Sequence, residues 1–541
     1  MCGVTGVFHY RDQDRPVDRA ILLSMTRSIA HRGPDGEGTY AARGIGLGHR
    51  RLAILDTSDV AAQPMVSSDG TIVLTYNGEI YNFRELRAQL EANGHRFVSG
   101  SDTEVVLHGY REWGDGLLDR VEGIFGFGLW DARRRRLLLA RDQLGVKPLF
   151  FADDGRTIRF GSEIKAILSD PSVARTVDLG ALNRFLTLSF TPAPFTGFSS
   201  VRQLLPGHKA VVDAAGVKVD RYYAIQYAPV ARDENLSAEV ARFEALLDRV
   251  TKAQMVSDVP VGAFLSGGLD SAAVVRSMTR AGAGAVHALT VGFDARGFDE
   301  TPAAAETARA LGVDLEVERM QLTPDLIPRI SLHVEDPFAD SSIIPVWLLC
   351  RAARKRFTVA MSGDGADDIL AGYDTYRATL LADHVRRLPR SLRERVLLPL
   401  AERLPISDRK YGLHRVATRF LRGVQRGPGR DHASWRIIFD ESLQARLLAP
   451  ELRLACHDPL EEYAAAVRDV PAGREAILGP LHADTAYYLP NDMLVKVDRM
   501  SMAHGLEVRV PFLDVQMVAY AANLAGRHKL KGFAGRKHIL R

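Results

Sequence analysis

The stretch VGAFLSGGLDSAAVV, residues Val261–Val275, decides how this chain is read. Its apolar start, Val259–Leu265, predicts a buried strand, and the pattern from Ser271 onward predicts a helix. Between them Gly267 and Gly268 let the backbone curl tightly. Unpaired N–H groups at a helix N-terminus form an anion site, and a glycine turn lets the main chain close around a phosphate. A Gly-Gly turn alone is a plain strand–helix corner, but the whole SGGLDS string behind an apolar strand is far more specific. The pattern GxxxxGK[ST] is absent, so this is not a Walker A loop.

Working outward, further strands are predicted at Val286–Phe293 and Phe357–Ser362, separated by helical patterns and preceded by a long amphipathic helix from Asn235. Strands alternating with helices predict a mostly parallel, doubly wound sheet. The second of these strands runs into MSGDGADD, Met361–Asp368. Carboxylates gathered at a strand end are costly without a cation, and Mg²⁺ prefers such hard oxygen ligands. The last 150 or so residues read as mainly helical.

The first 200 or so residues differ in character. Short β-like runs at Gly44–Leu55, Thr71–Tyr76, Gly126–Trp130, Arg136–Ala140 and Thr157–Phe160 are broken by Gly, Asn and Asp. Helical patterns intervene at Asp18–Ala30, Phe83–Asn93 and Thr103–Trp113. This predicts a layered α/β domain. The Pro-bearing, weakly patterned stretch from Thr191 to about Val230 holds the junction, giving domains 1–225 and 226–541.

Bulk properties narrow the function. The 541 residues carry a net charge of only +4, and the basic run Arg133–Arg136 reads as a solvated turn between strands. No broad basic face with interleaved aromatics predicts nucleic-acid binding. The three cysteines, Cys2, Cys350 and Cys456, form neither a disulfide framework nor a zinc spacing, which predicts a reducing cytoplasm. No apolar stretch is long enough to span a membrane and no signal peptide is evident, so no membrane partner is expected.

Cys2 follows the initiator Met. With Met1 removed, one residue would hold both a thiol and an α-amine that titrates near neutrality, so nucleophile and base would come from a single residue. Around it stand HRGPDG (His31–Gly36), HRRLAILD (His49–Asp56), YNGEIYN (Tyr76–Asn82), GSDTEV (Gly100–Val105), RDQLGVKPLF (Arg141–Phe150) and GSEIKAIL (Gly161–Leu168), in that order.

Together these strings closely resemble the class II glutamine amidotransferases, which are N-terminal-nucleophile hydrolases of αββα sandwich fold. SGGLDS resembles the pyrophosphate loop of ATP pyrophosphatases. The order of the two halves is that of the glutamine-hydrolysing asparagine synthetase family, and the resemblance covers essentially the whole chain. It implies that Cys2 attacks glutamine, that Asn77 and Gly78 form the oxyanion hole, and that Arg51, Glu79 and Asp102 hold the amino-acid head group. Arg50 precedes the matching arginine and, by strand alternation, is expected on the opposite face. In the second half the resemblance implies ATP binding by Leu265, Ser266, Gly267, Gly268, Asp270, Ser271, Val291 (in TVGF, Thr290–Phe293), Ser362 and Gly363. It implies Mg²⁺ held by Asp270 and Asp367, with Asp364 and Lys496 acting at the adenylated carboxylate. Lys496 lies in LPNDMLVKVDRMSMAHGLEVRVPFLD (Leu489–Asp514), with Asp498, Arg499 and Arg509. The segment EDPFADSSIIP (Glu335–Pro345) also fits the family pattern, its two serines being as well suited to capping the following helix.

The implied reaction uses MgATP to adenylate a carboxylate that captures ammonia released from glutamine, passed through an internal channel. Aspartate is the expected acceptor. A carboxylate of a cell-envelope sugar, peptidoglycan or a secondary metabolite is the alternative. A scaffold protein that has lost activity, and a glutaminase with a silent second domain, are the rivals from other classes. Small-molecule substrates are thus the expected partners, and a homodimer is the oligomer that the resemblance suggests. Departures from the family are GADD where GGDE is usual, which puts Asp368 in place of glutamate, the loose AGYDTY (Ala371–Tyr376), and GRKHILR (Gly535–Arg541), beyond which relatives continue with a helical segment.

Overall fold

The computed structural model describes residues 2–228, 234–282, 284–292, 299–405, 412–450, 452, 458–471, 473–532 and 535–541. Cys456 and Phe293 lie outside them.

The N-terminal half is built on strands β1 (Gly3–Phe8), β2 (Gly36–Ala41), β3 (Ile45–Arg51), β4 (Met65–Val66), β5 (Ile72–Ile80), β6 (Gly123–Asp131), β7 (Arg136–Arg141), β8 (Phe150–Asp153), β9 (Ile158–Gly161), β10 (Arg202–Gln203), β11 (His208–Asp213) and β12 (Gly216–Arg221). They form two antiparallel sheets, in the orders β10-β8-β9-β1-β3-β2 and β12-β11-β7-β6-β5-β4. The sheets stack face to face over a core that includes Val4, Phe8, Ile45, Leu47, Val73, Leu139 and Phe160. Helices Arg19–Ser28 and Ile164–Leu168 cover the first sheet, and Phe83–Ala92 and Asp102–Trp113 cover the second. The expected αββα sandwich is therefore present. Its layering follows from β5, whose nine residues are all buried because both of its faces are covered. The Arg133–Arg136 run occupies the turn between β6 and β7 and the first residue of β7, with Arg133 paired to Asp69 at 3.0 Å. The hairpin β11–β12 extends the second sheet from within the stretch that reads as weakly patterned.

The C-terminal half holds the parallel sheet. Strands β13 (Val261–Phe264), β14 (His287–Gly292), β15 (Asp314–Arg319), β16 (Val359–Met361) and β17 (Glu507–Arg509) are ordered β15-β14-β13-β16-β17, every pair parallel. The chain leaves β13 for β14 on one side and reaches β16 on the other, so the winding reverses beside β13. Ligands of open α/β sheets bind at that reversal, beyond the carboxyl ends of the strands. Both SGGLDS, after β13, and SGDGADD, after β16, emerge there. The rest is mainly helical as expected, except that β17 adds an edge strand to the sheet and Leu530–Lys531 pairs antiparallel with Gly535–Arg536. A ten-residue π-helical segment, Asp484–Met493, leads into helix Leu494–Met502, which carries Lys496.

Two candidate active sites and the seam between them

Cys2 lies at the mouth of β1, and its N–H donates to Asn77 Oδ1 at 2.8 Å. Burial pushes its thiol up from the ordinary value, and Sγ lies 3.9 Å from the Leu52 carbonyl oxygen. Asn77 sits in β5, fully buried, and with its oxygen engaged its Nδ2 has no partner among the described residues. A buried amide donor left unpaired beside a nucleophile is what an oxyanion would satisfy. Gly78 follows in the same strand, where an added Cβ would lie 2.2 Å from the Ile124 carbonyl oxygen. Only glycine lets β5 pack this closely on β6 at this point.

The pocket facing Cys2 is lined by Arg51, Tyr76, Gly78, Glu79 and Asp102. Arg51 is pinned by the carbonyls of Asp56 (2.5 Å) and Ser58 (2.8 Å). Arg50 instead donates to Gly33 O at 3.1 Å and Glu37 at 2.9 Å and does not line the pocket, as strand alternation predicts. Asp102 accepts from Ile80 N and Tyr76 Oη, each at 2.8 Å. Burial and the nearby Glu507 push Glu79 up, opposed by Arg509 at 3.3 Å. Arg509 belongs to β17 of the other half. It reaches across to buttress the pocket that faces Cys2, anchored by Glu507 and by the carbonyls of Gln254 (2.6 Å) and Val256 (2.7 Å).

At the second site the loop after β13 is braced internally. Ser266 Oγ accepts from Gly268 N at 3.1 Å and meets Ser271 Oγ at 3.0 Å, while Gly267 N donates to Glu300 at 3.2 Å. The loop after β16 docks directly on it. A Cβ on Gly363 would lie 2.6 Å from Ser271 N, so the two loops touch only because residue 363 is glycine. Ser362 Oγ donates to Asp364 Oδ2 at 2.7 Å. Val291, half-buried in β14, packs against the cluster around Ile330 and Trp347.

Asp270 and Asp367 are joined by a residue that the sequence reading missed. Lys537 Nζ bonds to Asp270 and lies 2.6 Å from Asp367 Oδ1. Gly372 makes room for it, since a Cβ there would lie 2.2 Å from Lys537 Cε. The signal lay in GRKHILR, which reads as the end of a chain rather than as a neighbour of SGGLDS. Burial lifts Asp270 to about 6, with Lys537 opposing, and its Oδ1 is buried without a partner among the described residues. Two carboxylates around one ammonium, with a lone pair still free, suit a divalent cation. Among the described residues no three His, Cys, Asp or Glu side chains gather as a metal site. Mg²⁺ would therefore take its other ligands from phosphate and water, as it commonly does. Asp368 is not part of this pair. It is fully buried, pushed up by burial and by Asp484, and accepts from Tyr373 Oη at 3.2 Å.

Lys496 Nζ is held by Asp340 Oδ2 and Ser342 Oγ, both at 2.7 Å. This corrects the expectation for Ser342. It precedes helix Ile343–Ala353, yet its hydroxyl bonds Asp340 and Lys496 and caps no backbone N–H.

The two halves meet in a buried lattice of charge. Arg32 Nε donates to the Cys2 carbonyl at 3.2 Å, while its Nη atoms reach Glu163 (2.9 Å) and Asp498 (2.8 and 3.0 Å). Arg499 joins Glu163 (3.1 Å) to Glu335 (3.2 Å), and Glu335 accepts from the N–H groups of Ile164 and Lys165, each at 2.9 Å. Glu335 holds φ 64°, a left-handed conformation that is uncommon outside glycine. Beside this lattice lies a cavity of about 30 Å³, walled by Arg141, Val146 and Thr191 from one half and by Asp336, Asn491 and Val495 from the other. It has room for about one water-sized molecule.

Comparison with known proteins matches each half of the chain to a family. The model of the glutamine amidotransferase domain family matches residues 1–223, and that of the asparagine synthase family matches residues 242–541. Asparagine synthetase [glutamine-hydrolyzing] 1 of Bacillus subtilis (strain 168) is 33% identical over 549 residues, covering 100% of this chain and 84% of its own. Asparagine synthetase [glutamine-hydrolyzing] 3 of the same organism is 31% identical over 554 residues, covering 98% and 82%. The amidase chyE of Penicillium rubens is 29% identical over 583 residues, covering 98% and 83%. The chain belongs to the asparagine synthase family, in the arrangement that carries a glutamine amidotransferase domain at its N-terminal end.

Proposed function

We propose that the protein moves the amide nitrogen of glutamine onto a carboxylate activated by ATP, and that the acceptor is aspartate. The observation that carries this reading is the pair of sites set on either side of one buried seam. One holds a thiol beside an unpartnered amide donor. The other holds a phosphate-type loop beside a carboxylate pair. We assign residues 1–225 to the first activity and 226–541 to the second.

With Met1 removed, the Cys2 amine takes the thiol proton and sulfur attacks the glutamine carbonyl, giving a thioester and ammonia. Asn77 Nδ2 and Gly78 N–H receive the developing oxyanion, and Arg51 and Asp102 hold the substrate's carboxylate and ammonium. In the other half the loop Leu265–Ser271 cradles ATP phosphates, and Lys496 steadies negative charge as the acceptor carboxylate displaces pyrophosphate from the α-phosphate. Mg²⁺, when bound by Asp270 and Asp367, would neutralise phosphate charge. Ammonia then attacks the acyl-adenylate, and amide and AMP leave. Transit through the cavity at the seam keeps ammonia unprotonated and so nucleophilic.

Incubating the full chain with glutamine, MgATP and aspartate, and following products by mass spectrometry, tests this. Asparagine formed one-for-one with pyrophosphate, lost in Cys2→Ala and restored by ammonium, is the expected result. Glutamate release without asparagine overturns aspartate as acceptor. The second reading, the same chemistry on another carboxylate, draws support from the full-length similarity to a fungal protein named an amidase.

A further inference from the structure

One part of the helical region takes no part in either site. Its first arm is continuous from Arg390 to Glu402, with a π-helical turn at Arg393–Leu397. Its second arm is helix Leu413–Gln425, which packs against the first and against helix Asp374–Arg386. Large aliphatic side chains stand in solvent on both arms: Val396 (51% exposed) and Leu400 (60%), then Leu413 (76%) and Val416 (48%). Spacings of four and three residues stack each pair on one face of its helix. Leu400 lies near the end of one arm and Leu413 begins the next, so both pairs sit toward the connected end of the hairpin.

The charge along the two arms is predominantly positive. Residues 387–403 and 413–425 contain eight arginines against two glutamates, an excess of six, larger than the +4 of the whole chain. The two glutamates within these helices are already engaged, Glu394 by Arg390 at 2.7 Å and Glu402 by Arg422 at 3.0 Å. Arg387, Arg395, Arg403 and Arg415 are exposed and make no ion pair among the described residues.

Exposed aliphatics on arms rich in arginines that make no ion pair among the described residues have few fitting occupants. A second copy would set arginine against arginine. A nucleic acid would use the arginines but leave the leucines and valines in water, where binding sites for single strands present aromatic rings. An anionic lipid surface satisfies both features, with guanidinium forks on lipid phosphates and aliphatic side chains in the acyl boundary. We propose that this hairpin docks the enzyme on an anionic membrane surface. It lies on that surface and does not cross it, since among the described residues no helix is long and apolar enough to do so. The inference stands apart from the identity of the acceptor carboxylate, and it differs from the expectation of no membrane partner.

The test is flotation of the full-length protein with vesicles of phosphatidylcholine, with and without phosphatidylglycerol. Binding should require the anionic lipid and be released by salt. Leu400→Ser with Leu413→Ser should weaken binding about tenfold, and Arg395→Glu with Arg403→Glu should abolish it. Both double variants should retain wild-type glutaminase rate and melting temperature, which separates lost docking from lost fold. Four results would each overturn the proposal. They are no flotation, equal flotation with neutral vesicles, single-stranded RNA that binds more tightly and displaces the vesicles, and a dimer in solution that the leucine variants dissolve.

Discussion

Asn77 performs two tasks with one amide group. Its oxygen fixes the Cys2 nitrogen, and its Nδ2, without a partner among the described residues, is the donor we propose for the oxyanion. Asn77→Ala should therefore lower glutamine-dependent turnover by about 10²–10³-fold while leaving ammonia-dependent amide formation near wild type, as assays with the two nitrogen sources would show. Lys537 stands between Asp270 and Asp367, the carboxylates we propose for Mg²⁺. Lys537→Met removes that competing charge, so free Mg²⁺ should bind more tightly without nucleotide, measured by calorimetric titration. Residues of the two kinds were not equally legible. The contrast between Arg50 and Arg51 follows from strand alternation within β3, a local rule. Lys537 acts on residues far away in sequence, and Arg509 crosses to the opposite half. Nothing in the local sequence around either residue reports such contacts.

Single elements bind the molecule together, and helix Leu494–Met502 does so with closely spaced side chains. Lys496 turns to Asp340, while Asp498 and Arg499 turn to Arg32 and Glu163. Asp498→Asn removes one of the two carboxylate charges on the buried Arg32 guanidinium and turns an NH2 group toward one of its Nη atoms. A loss of about 3–5 kcal/mol is expected for breaking such a pair, and denaturant unfolding would measure it. At the start of the π-helical segment, Asp484 is buried, which pushes its pKa up. Arg436 at 2.7 Å, His432 at 3.1 Å and the phenols of Tyr376 and Tyr463 outweigh that and hold it at about 2. An unfolded aspartate titrates near 3.9. The folded value is the lower one, so this site's stabilisation is full above about pH 4 and is lost as pH falls toward 2. Melting temperature should drop across that window, and less steeply in Asp484→Asn. Elements with strong periodicity were legible almost to the residue, such as helix Phe83–Ala92 and strand β7. Strand β17 was not, because three residues inside a helical region carry no period of their own. Their pairing with β16 makes them a strand.

At the scale of the whole molecule, the seam joins two chemistries that need each other. The cavity beside the charge lattice is small enough that Val495→Trp should block it. Glutamate release and ammonia-dependent amide formation should both survive, while amide formed per glutamate released falls well below one. Measuring both products in a single reaction gives that ratio. The order of the two halves could be read directly from motifs. The seam could not, since it is made by side chains that each motif presents to the other, and its geometry exists only once both halves have folded.

That seam also bears on inheritance. Arg32 and Glu163 are encoded far upstream of Asp498 and Arg499, yet Asp498 neutralises Arg32 and Arg499 neutralises Glu163. Recombination that replaced one half with that of a distant cousin would bury an acid or a base without its counterpart. The two halves are therefore constrained to descend as one gene, and a change at one of these four codons calls for a matching change several hundred codons away.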